Sequence, residues 1–316
     1  IETEVDDLEI TPMGEYALDN TKVEEYRKVT TPQEKENKRR LERAQYKAIS
    51  LKNLEGSRTD ITLNGNWLFM PDYQMNNKEK AISVLTDDQD WHVMSVPNFW
   101  NPIRIWLHGE TMPSPTGPQP KGVSDTYYQQ ETDRCEEYTF DYRNIKSAWN
   151  RQWIELPQEI EGKNITLNFD AVSKMAEVYI NGVLAGSNIG MFGEIKIDGS
   201  ELFKPGKNLI TVKVLKSLSG KGSSEEDSKS EIDFLYSSVR EDDKKHKTEK
   251  NKTLLADDIL KGIAHGFYQG DPAGIWQPVK LTITQPIKVE DVFIKPTLNG
   301  ATFDVSVKNH AGKKKT

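Results

Sequence analysis

Adjacent acidic residues are the first candidates in this chain for acid/base chemistry. The 316 residues include 49 Asp and Glu, and three pairs stand out: Asp87-Asp88, Asp242-Asp243 and Asp257-Asp258. A general acid and a general base must both reach the same reacting group. Within each pair the successive side chains point in different directions, and each pair sits in a polar stretch. We therefore interpret these pairs as solvated surface and assign no catalytic residue.

The histidines and the single cysteine do not form a metal-ligand pattern. No His-x-x-x-His or Cys/His spacing occurs, so we predict no metal site and no cofactor. No Gly-x-Ser-x-Gly motif supports a serine nucleophile, although spacing alone leaves a Ser/His/Asp triad open. The histidines are His92, His108, His246, His265 and His310.

The composition is typical of a soluble globular protein that is larger than one ordinary domain. The chain is 35% hydrophobic and 29% charged, with a net charge of −7. Because it is acidic and has no basic stripe, we predict no nucleic-acid partner. No apolar run approaches the length of a membrane span. Cys135 is the single cysteine, which excludes an internal disulfide framework.

Alternating apolar and polar residues predict the strands that would position any site. The runs Asn164–Ala171, Ala176–Ile180 and Asn208–Val214 have the period of two that is typical of strands with one buried face. Asn181-Gly182 follows the second run and supplies the positive φ angles of a tight hairpin. Lys204-Pro205-Gly206 makes the corresponding break before the third run.

The first 58 residues form a highly charged leader. Its run Val23–Leu54 has a helical pattern, and Pro32 is expected to divide it. Because the charges are mixed in sign, we predict a solvated helix packed on the outside of the protein. A helix that binds a membrane surface or a partner is the less favoured alternative.

Two long insertions interrupt the strand pattern. Arg104–Glu137 is rich in Pro and Gly, so we expect an extended loop without regular helix or sheet. The second insertion lies between Lys216 and Gly262. We predict that its serine-rich start is disordered and that a short helix forms near Leu254–Lys261.

The order of these pieces resembles the N-terminal sugar-binding domain of glycoside hydrolase family 2, the β-galactosidase, β-glucuronidase and β-mannosidase group. The resemblance covers roughly residues 60–285. Its landmarks, in chain order, are Leu63–Phe69 (LNGNWLF), Val93–Trp100 (VMSVPNFW), Ala176–Gly182 (AEVYING), Gly190–Gly193 (GMFG), Leu202–Leu209 (LFKPGKNL) and Gly274–Leu281 (GIWQPVKL).

The resemblance implies an all-β fold. Residues 59–285 would form a jelly-roll, galactose-binding-like β-sandwich behind the helical leader of residues 1–58. Residues 286–316 would form the first strands of an immunoglobulin-like β-sandwich, which needs about seven strands in all. The catalytic (β/α)8 barrel of the family has no counterpart here. We therefore expect the chain, which starts at Ile1, to be a fragment or the ordered part of a longer protein.

The functional expectation is a non-catalytic front end of a retaining hydrolase that cleaves terminal β-linked sugars. The family's acid/base glutamate follows an asparagine, and no Asn-Glu dipeptide occurs in this sequence. Two alternatives remain open: an autonomous carbohydrate-binding module without hydrolase activity, and a structural domain for subunit contact. Expected partners are a glycoside or oligosaccharide and the missing immunoglobulin-like and barrel domains. A homo-oligomer is left open, and a periplasmic or secreted location is favoured over a cytoplasmic one.

Candidate carbohydrate ligands lie in and beside the two loops. Sugar rings stack on aromatic side chains while their hydroxyls need polar partners. Trp100, Asn101 and Trp106 supply both kinds of group, and the resemblance implies a sugar-holding role for Asp271. The remaining candidates are Arg104, His108, Tyr127, Tyr128, Phe267 and Tyr268. The other tryptophans in strand patterns are predicted to belong to the core: Trp67, Trp91, Trp153 and Trp276.

Overall fold

The computed structural model describes residues 31–75, 77–101, 104–105, 135–218, 225–239, 249–263, 268–269 and 272–309. The strands in these residues are β1 (Ile49–Ser50), β2 (Arg58–Thr62), β3 (Gly65–Pro71), β4 (His92–Val96), β5 (Arg104–Ile105), β6 (Ser147–Leu156), β7 (Asn164–Phe169), β8 (Val172–Ser173), β9 (Met175–Ile180), β10 (Val183–Ile189), β11 (Ile195–Asp198), β12 (Gly206–Leu215), β13 (Tyr268–Gln269), β14 (Gly274–Ile275), β15 (Val279–Thr284), β16 (Ile287–Thr297) and β17 (Gly300–Asn309). The helices are α1 (Pro32–Gln45), α2 (Lys78–Ile82), α3 (Glu225–Ser237) and α4 (Glu249–Gly262), with a 3-10 turn at Gln158–Ile160. None of these helices is long and apolar enough to cross a lipid bilayer.

Two sheets make up the body of the protein. The larger sheet has the strand order β10-β9-β12-β6-β3-β4, and β1 pairs with β6 in parallel. The smaller sheet has the order β11-β7-β15-β2. Strands β6 and β12 pair along their whole length, from Gly206 opposite Leu156 to Leu215 opposite Ser147. The predicted all-β sandwich is confirmed, and the three alternating runs are strands β7, β9 and β12.

The main core lies between the two sheets. Trp67 of β3, Val212 of β12 and Phe169 of β7 are among its fully buried side chains. The Trp67 and Phe169 rings meet edge to face, with centroids 6.4 Å apart. Deleting one such aromatic ring costs about 3–5 kcal/mol because the cavity it leaves does not fully collapse. The period-two pattern in the sequence therefore corresponds to this buried layer.

The outer face of the larger sheet is also covered. Trp149, Trp153 and Tyr179 lie there and pack with Tyr46 and the residues of α2. Farther along the same sheet, α3 and α4 pack on Met175 and Leu215. Strand β6 is consequently buried on both faces, except at Glu155. In such a strand nearly every residue is buried, without alternation, because neither face contacts water.

A tight turn joins β9 to β10, as the Asn181-Gly182 dipeptide predicts. Asn181 has φ 51° and Gly182 has φ 84°, the positive values that type I′ hairpin turns require. The Asn181 side chain also fixes its surroundings, because its oxygen accepts a hydrogen bond from the Leu209 backbone N–H at 2.8 Å. The turn therefore links β9 to β12 as well as to β10.

The leader forms a shorter helix than the sequence pattern predicts. Pro32 is at its first position, and Thr31 and Glu34 form a capping box. The helix ends at Gln45, and Ile49–Ser50 form β1 beside β6. The predicted continuation to Leu54 is therefore wrong, because this stretch gains sheet hydrogen bonds instead. The predicted part before Pro32 falls mostly outside the described residues.

The insertions contain more regular structure than predicted. The short helix near Leu254–Lys261 is confirmed as part of α4. Helix α3 was not predicted, and it forms because Leu235 is buried against α4 and the sheet while Glu231 pairs with Lys213 at 2.8 Å. In the first insertion, Arg104–Ile105 pair with β13 as a two-residue strand, against the expectation of no sheet. Residues 106–134 and the serine-rich start of the second insertion lie outside the described residues.

The C-terminal strands β16 and β17 form an antiparallel hairpin, as their alternation predicts. Two lysines join its base to the smaller sheet: Lys288 donates to Thr166, and Lys308 pairs with Asp198. The predicted immunoglobulin-like identity of these strands and the domain boundaries at residues 58 and 285 stay predictions.

Candidate functional site

Four chain segments meet around the short strand pair β8–β14. The backbone N–H of Asn98 donates to Ile275 at 2.7 Å, and that of Trp100 donates to Ala273 at 3.1 Å. Strand β14 pairs with β8 on its other side. The Gly190 N–H donates to Lys174 at 2.8 Å, which attaches the fourth segment. Residues 97–101, 172–174, 190–193 and 272–276 thus form one hydrogen-bonded unit.

Glycine at position 274 is required for this close approach. Gly274 has φ 148°, and a Cβ atom there would collide with the carbonyl oxygen of Asn98. Any other residue would therefore push residues 97–101 away from β14. Two features explain the Gly-Ile-Trp order in the sequence: the close contact of Gly274 with Asn98, and the position of Trp276 described next.

Three aromatic rings gather on this unit, and we call Phe99, Phe192 and Trp276 the aromatic surface. Phe99 and Trp276 stack with centroids 5.5 Å apart and an interplanar angle of 13°. Phe192 meets Trp276 edge to face at 6.0 Å and 89°. The Trp276 indole N–H donates to the Met191 carbonyl at 2.8 Å, which fixes the ring. Phe192 is 62% exposed, and the other two rings are half-buried.

Trp276 corrects one prediction, because it was expected in the core. Its ring lies between Phe99 and Phe192 at the surface. Sequence reasoning missed Phe99 and Phe192 as site residues. The sequence signal for Phe192 is the pair of glycines, Gly190 and Gly193, that flank Met191-Phe192. These glycines predict a turn, and an aromatic residue in a turn is free to lie outside the core.

Trp100 is buried, with 0% of its surface exposed, and its ring packs against Phe69 at 5.8 Å. A ring needs an open face to stack on a sugar, so the predicted contact through Trp100 is corrected to a core role. Asn101 is 6% exposed, and its side-chain oxygen accepts from the Ala273 N–H at 3.1 Å. It positions the segment that carries β14. The predicted ligands Trp106 and Asp271 lie outside the described residues.

The residue after Asp271 is nevertheless well fixed. The Pro272 carbonyl accepts a hydrogen bond from the buried hydroxyl of Ser173 at 2.8 Å. Together with the Asn101 contact, this satisfies both polar groups of the Pro272–Ala273 peptide bond. Pro272 and Ala273, which follow the candidate acid in the chain, are therefore anchored to the unit that carries the aromatic surface.

The acidic pairs do not form an acid/base site in the described structure. Asp88 is 8% exposed and binds Arg43 and the indole N–H of Trp153, so its interpretation as solvated surface was wrong. Asp257 pairs with Lys261 one turn along α4, and Asp242-Asp243 lies outside the described residues. The described residues contain no cluster of His, Cys, Asp and Glu that could hold a metal ion.

Comparison with known proteins finds a family match that includes two of the four segments of this unit, residues 172–174 and 190–193. Residues 121–254 match the model of the glycosyl hydrolase 2 galactose-binding domain-like family. This part of the chain is thus similar to the galactose-binding-like domain of glycosyl hydrolase family 2. The match includes β6 to β12 and therefore most of the larger sheet. The family 2 resemblance of the sequence landmarks is confirmed.

Relatives of the family 2 domain are much longer proteins. A putative beta-glucuronidase of Formosa agariphila is 26% identical over 163 residues, which are 52% of this chain and 15% of that protein. A beta-galactosidase of Thermoanaerobacter pseudethanolicus is 25% identical over 156 residues, 49% of this chain and 16% of its own length. The chain thus spans about one sixth of these relatives.

Among solved structures, a beta-glucuronidase of an uncultured Clostridium species superimposes with a TM-score of 0.47 at 17% identity, covering 83% of this chain and 36% of that one. A beta-glucuronidase of Faecalibacterium prausnitzii gives 0.46 at 18% identity, covering 82% and 37%.

Proposed function

We propose that this chain is the carbohydrate-recognising, non-catalytic front part of a family 2 glycoside hydrolase that acts on terminal β-linked sugars. The observation that carries the proposal is the aromatic surface on the hydrogen-bonded unit. Its Phe192 lies within the matched residues 121–254, while Phe99 and Trp276 lie outside them. Phe192 is 62% exposed, while Trp276 is held in place by its indole hydrogen bond. Such fixed rings bind the apolar faces of sugars at little entropic cost.

The polar part of the proposed site comes from Asp271 and Trp106. A carboxylate accepts two hydrogen bonds and can bind a pair of neighbouring sugar hydroxyls. The anchored Pro272 carbonyl supports this role for Asp271. Asn101 and Trp100 then act as positioning residues, since their buried side chains hold residues 97–101 against β14.

Hydrolysis itself is assigned to another part of a longer protein. Retaining glycosidases use two carboxyl groups about 5 Å apart, and the described residues around the aromatic surface bring no such pair together. The relatives are named as beta-glucuronidases and beta-galactosidases. A glucuronide or a galactoside is accordingly the first ligand to test.

The proposal is tested by replacing Phe192 and Trp276 of the aromatic surface. We expect Phe192→Ala and Trp276→Ala each to weaken binding of methyl β-glucuronide or lactose about tenfold. Stacking of a nucleic-acid base on one ring is worth about 1–3 kcal/mol, and we expect a similar contribution from the apolar face of a sugar. Isothermal titration calorimetry on the purified chain measures the affinity. Phe293→Ala is the matched control, because Phe293 is 59% exposed but lies on the C-terminal hairpin.

Three results would contradict the proposal. The first is unchanged affinity in both aromatic variants. The second is an equal loss in the Phe293 control, which would indicate non-specific contact. The third is the absence of binding to either sugar, which would favour the alternative of a domain for subunit contact.

A further inference from the structure

A polar groove lies between the leader helix and the edge of the larger sheet. Its volume is about 370 Å³, within the range of small-ligand sites, about 300–1,000 Å³. Helix α1 forms one wall with Glu42 and Gln45. Asn66 of β3, Ser95 of β4 and Asn98 form the opposite wall. The groove therefore exists because the leader helix is docked on the sheet.

The docking of α1 is specific enough to hold this wall in place. Arg43 donates to the Asp88 carbonyl at 2.9 Å and also pairs with the Asp88 carboxylate. The Tyr46 hydroxyl donates to Gln152 at 2.9 Å and accepts from the Trp153 N–H at 3.0 Å. These contacts fix both the position and the rotation of the helix. The side chains of its groove face are therefore presented in a defined arrangement.

The groove offers hydrogen-bonding groups that the protein itself does not use. Within the described part of the chain, the side-chain amides of Gln45 and Asn66 have no hydrogen-bond partner. Each amide presents a donor and an acceptor. The Asn98 amide donates to the hydroxyls of Ser95 and Tyr138, at 3.2 Å each, which fixes the wall opposite α1.

The charges in the groove argue against a charged ligand. Lys38 donates to the Glu137 carbonyl at 2.6 Å and lies 3.7 Å from Glu42, so its charge is already partly balanced. Glu42 and Glu137, which both line the groove, disfavour an anion. In the described residues no acidic cluster is arranged for a metal ion. What remains is a ligand that is uncharged and carries several hydroxyl groups.

We propose that the groove between α1 and β4 binds a neutral saccharide at a site separate from the aromatic surface. Amide and hydroxyl side chains with one half-buried carboxylate are suited to the alternating donors and acceptors of a sugar ring. The wall supplied by α1 lies outside residues 121–254, so the site is not a property of the matched domain. It also does not depend on the proposed role of Phe192 and Trp276.

The two sites share only the segment from Pro97 to Trp100. Asn98 lines the groove, Phe99 belongs to the aromatic surface, and Trp100 enters the core. A local readout is therefore needed to separate binding at one site from binding at the other. Hydrogen exchange measured on peptides provides it, because protection appears at the segments that contact the ligand.

The test adds cellobiose or lactose to the purified chain and follows hydrogen exchange in peptides covering residues 36–46 and 92–98. We expect protection of both segments in the unaltered chain and in Phe192→Ala. The double variant Gln45→Ala/Asn66→Ala should lose this protection, with affinity at the groove about tenfold weaker, as expected for deleting two hydrogen-bonding groups. The exchange of residues 190–193 should be the same in the double variant as in the unaltered chain.

The matched control is Gln33→Ala/Asn37→Ala, which removes two amides of α1 that bond to each other at 3.2 Å. It should keep the protection. Thermal melting checks that each variant is folded, and Gln45 and Asn66 are expected to have little effect because they make no internal hydrogen bond. The proposal is overturned if neither sugar protects these segments, or if the folded double variant is protected as well as the control.

Discussion

His92 shows how one buried side chain can make the whole fold sensitive to pH. It is 3% exposed, and its ring nitrogens lie 2.7 Å from the Thr139 hydroxyl and 2.7 Å from the Gln74 side-chain oxygen. Burial, aided by the charge of Arg39, lowers its pKa from 6.5 to about 4. The folded protein therefore holds His92 neutral at pH values where the unfolded chain would protonate it.

We expect the free energy of unfolding to fall as the pH drops from about 6.5 to about 4. In this window the unfolded state binds more protons at His92, so stability is complete above the unfolded pKa and is lost below it. The loss at this one group is roughly 3 kcal/mol, since one pKa unit corresponds to about 1.4 kcal/mol. Urea unfolding at several pH values, compared with His92→Gln, measures it. The same pH slope in the variant would refute this assignment.

Neighbouring residues in the segment 97–101 show where sequence reasoning succeeds and where it stops. The sequence singles out Trp100 and Asn101 by residue type, and both belong to the unit that carries the aromatic surface. Which side chain faces outward depends on the hydrogen bonds from residues 98 and 100 to residues 275 and 273. That register joins positions more than 170 residues apart, and no local pattern encodes it.

At the scale of elements, α1 is held by charge as well as by apolar contact. Asp88 receives hydrogen bonds from Arg43 and from the Trp153 indole at 2.7 Å, all with little exposure to water. Removing the carboxylate leaves a guanidinium and an indole N–H without their partner. An unpaired buried charge of this kind is costly.

We expect Asp88→Ala to lower the free energy of unfolding by about 3 kcal/mol and to speed hydrogen exchange in α1. Asp87→Ala is the neighbouring control: its carboxylate is exposed and bonds the Gln89 N–H at 3.1 Å, so about 0.5–1 kcal/mol is expected. Urea unfolding compares the two variants. Equal losses would mean that Asp88 has no special part in docking the helix.

The elements differ in how far the sequence predicts them. Strands β7, β9 and β12 follow from alternation because each has one face in the main core. Helix α3 does not, since its sequence is mostly polar and its stability depends on packing against α4 and on the Lys213–Glu231 pair. The sequence pattern of the charged leader predicts a helix. The end of this helix at Gln45 is not predicted, because it depends on the pairing of β1 with β6.

The C-terminal hairpin carries more than half of the exposed large apolar side chains of the described residues. Val292 lies opposite Val305 and Ile294 lies opposite Phe303, so these side chains share one face. The opposite face carries Asp291, Lys295, Thr302, Asp304 and Ser306, with Phe293 as its large apolar residue. An apolar sheet face of this size marks an interaction surface, and two strands alone are marginally stable in water.

We expect the chain in isolation to associate through this apolar face. Ile294→Ser/Phe303→Ser should shift the sedimentation profile toward monomer in analytical ultracentrifugation and leave the melting temperature of the sandwich nearly unchanged. Phe293→Ser, on the polar face, is the control and should not alter association. A purely monomeric unaltered chain, or a double variant that associates as strongly, would exclude this face as the contact.

The helical coverings of the larger sheet restrict where another domain can be built onto this protein. Helices α1 to α4 cover much of the outer face of this sheet and leave its strand pairing intact. The smaller sheet has a hydrophilic exterior of Thr and Lys side chains and shares the hairpin's two lysine tethers. A neighbouring domain would therefore pack against the smaller sheet or the edges of the sandwich. The two outer faces of the sandwich thus differ in their capacity to bind another domain.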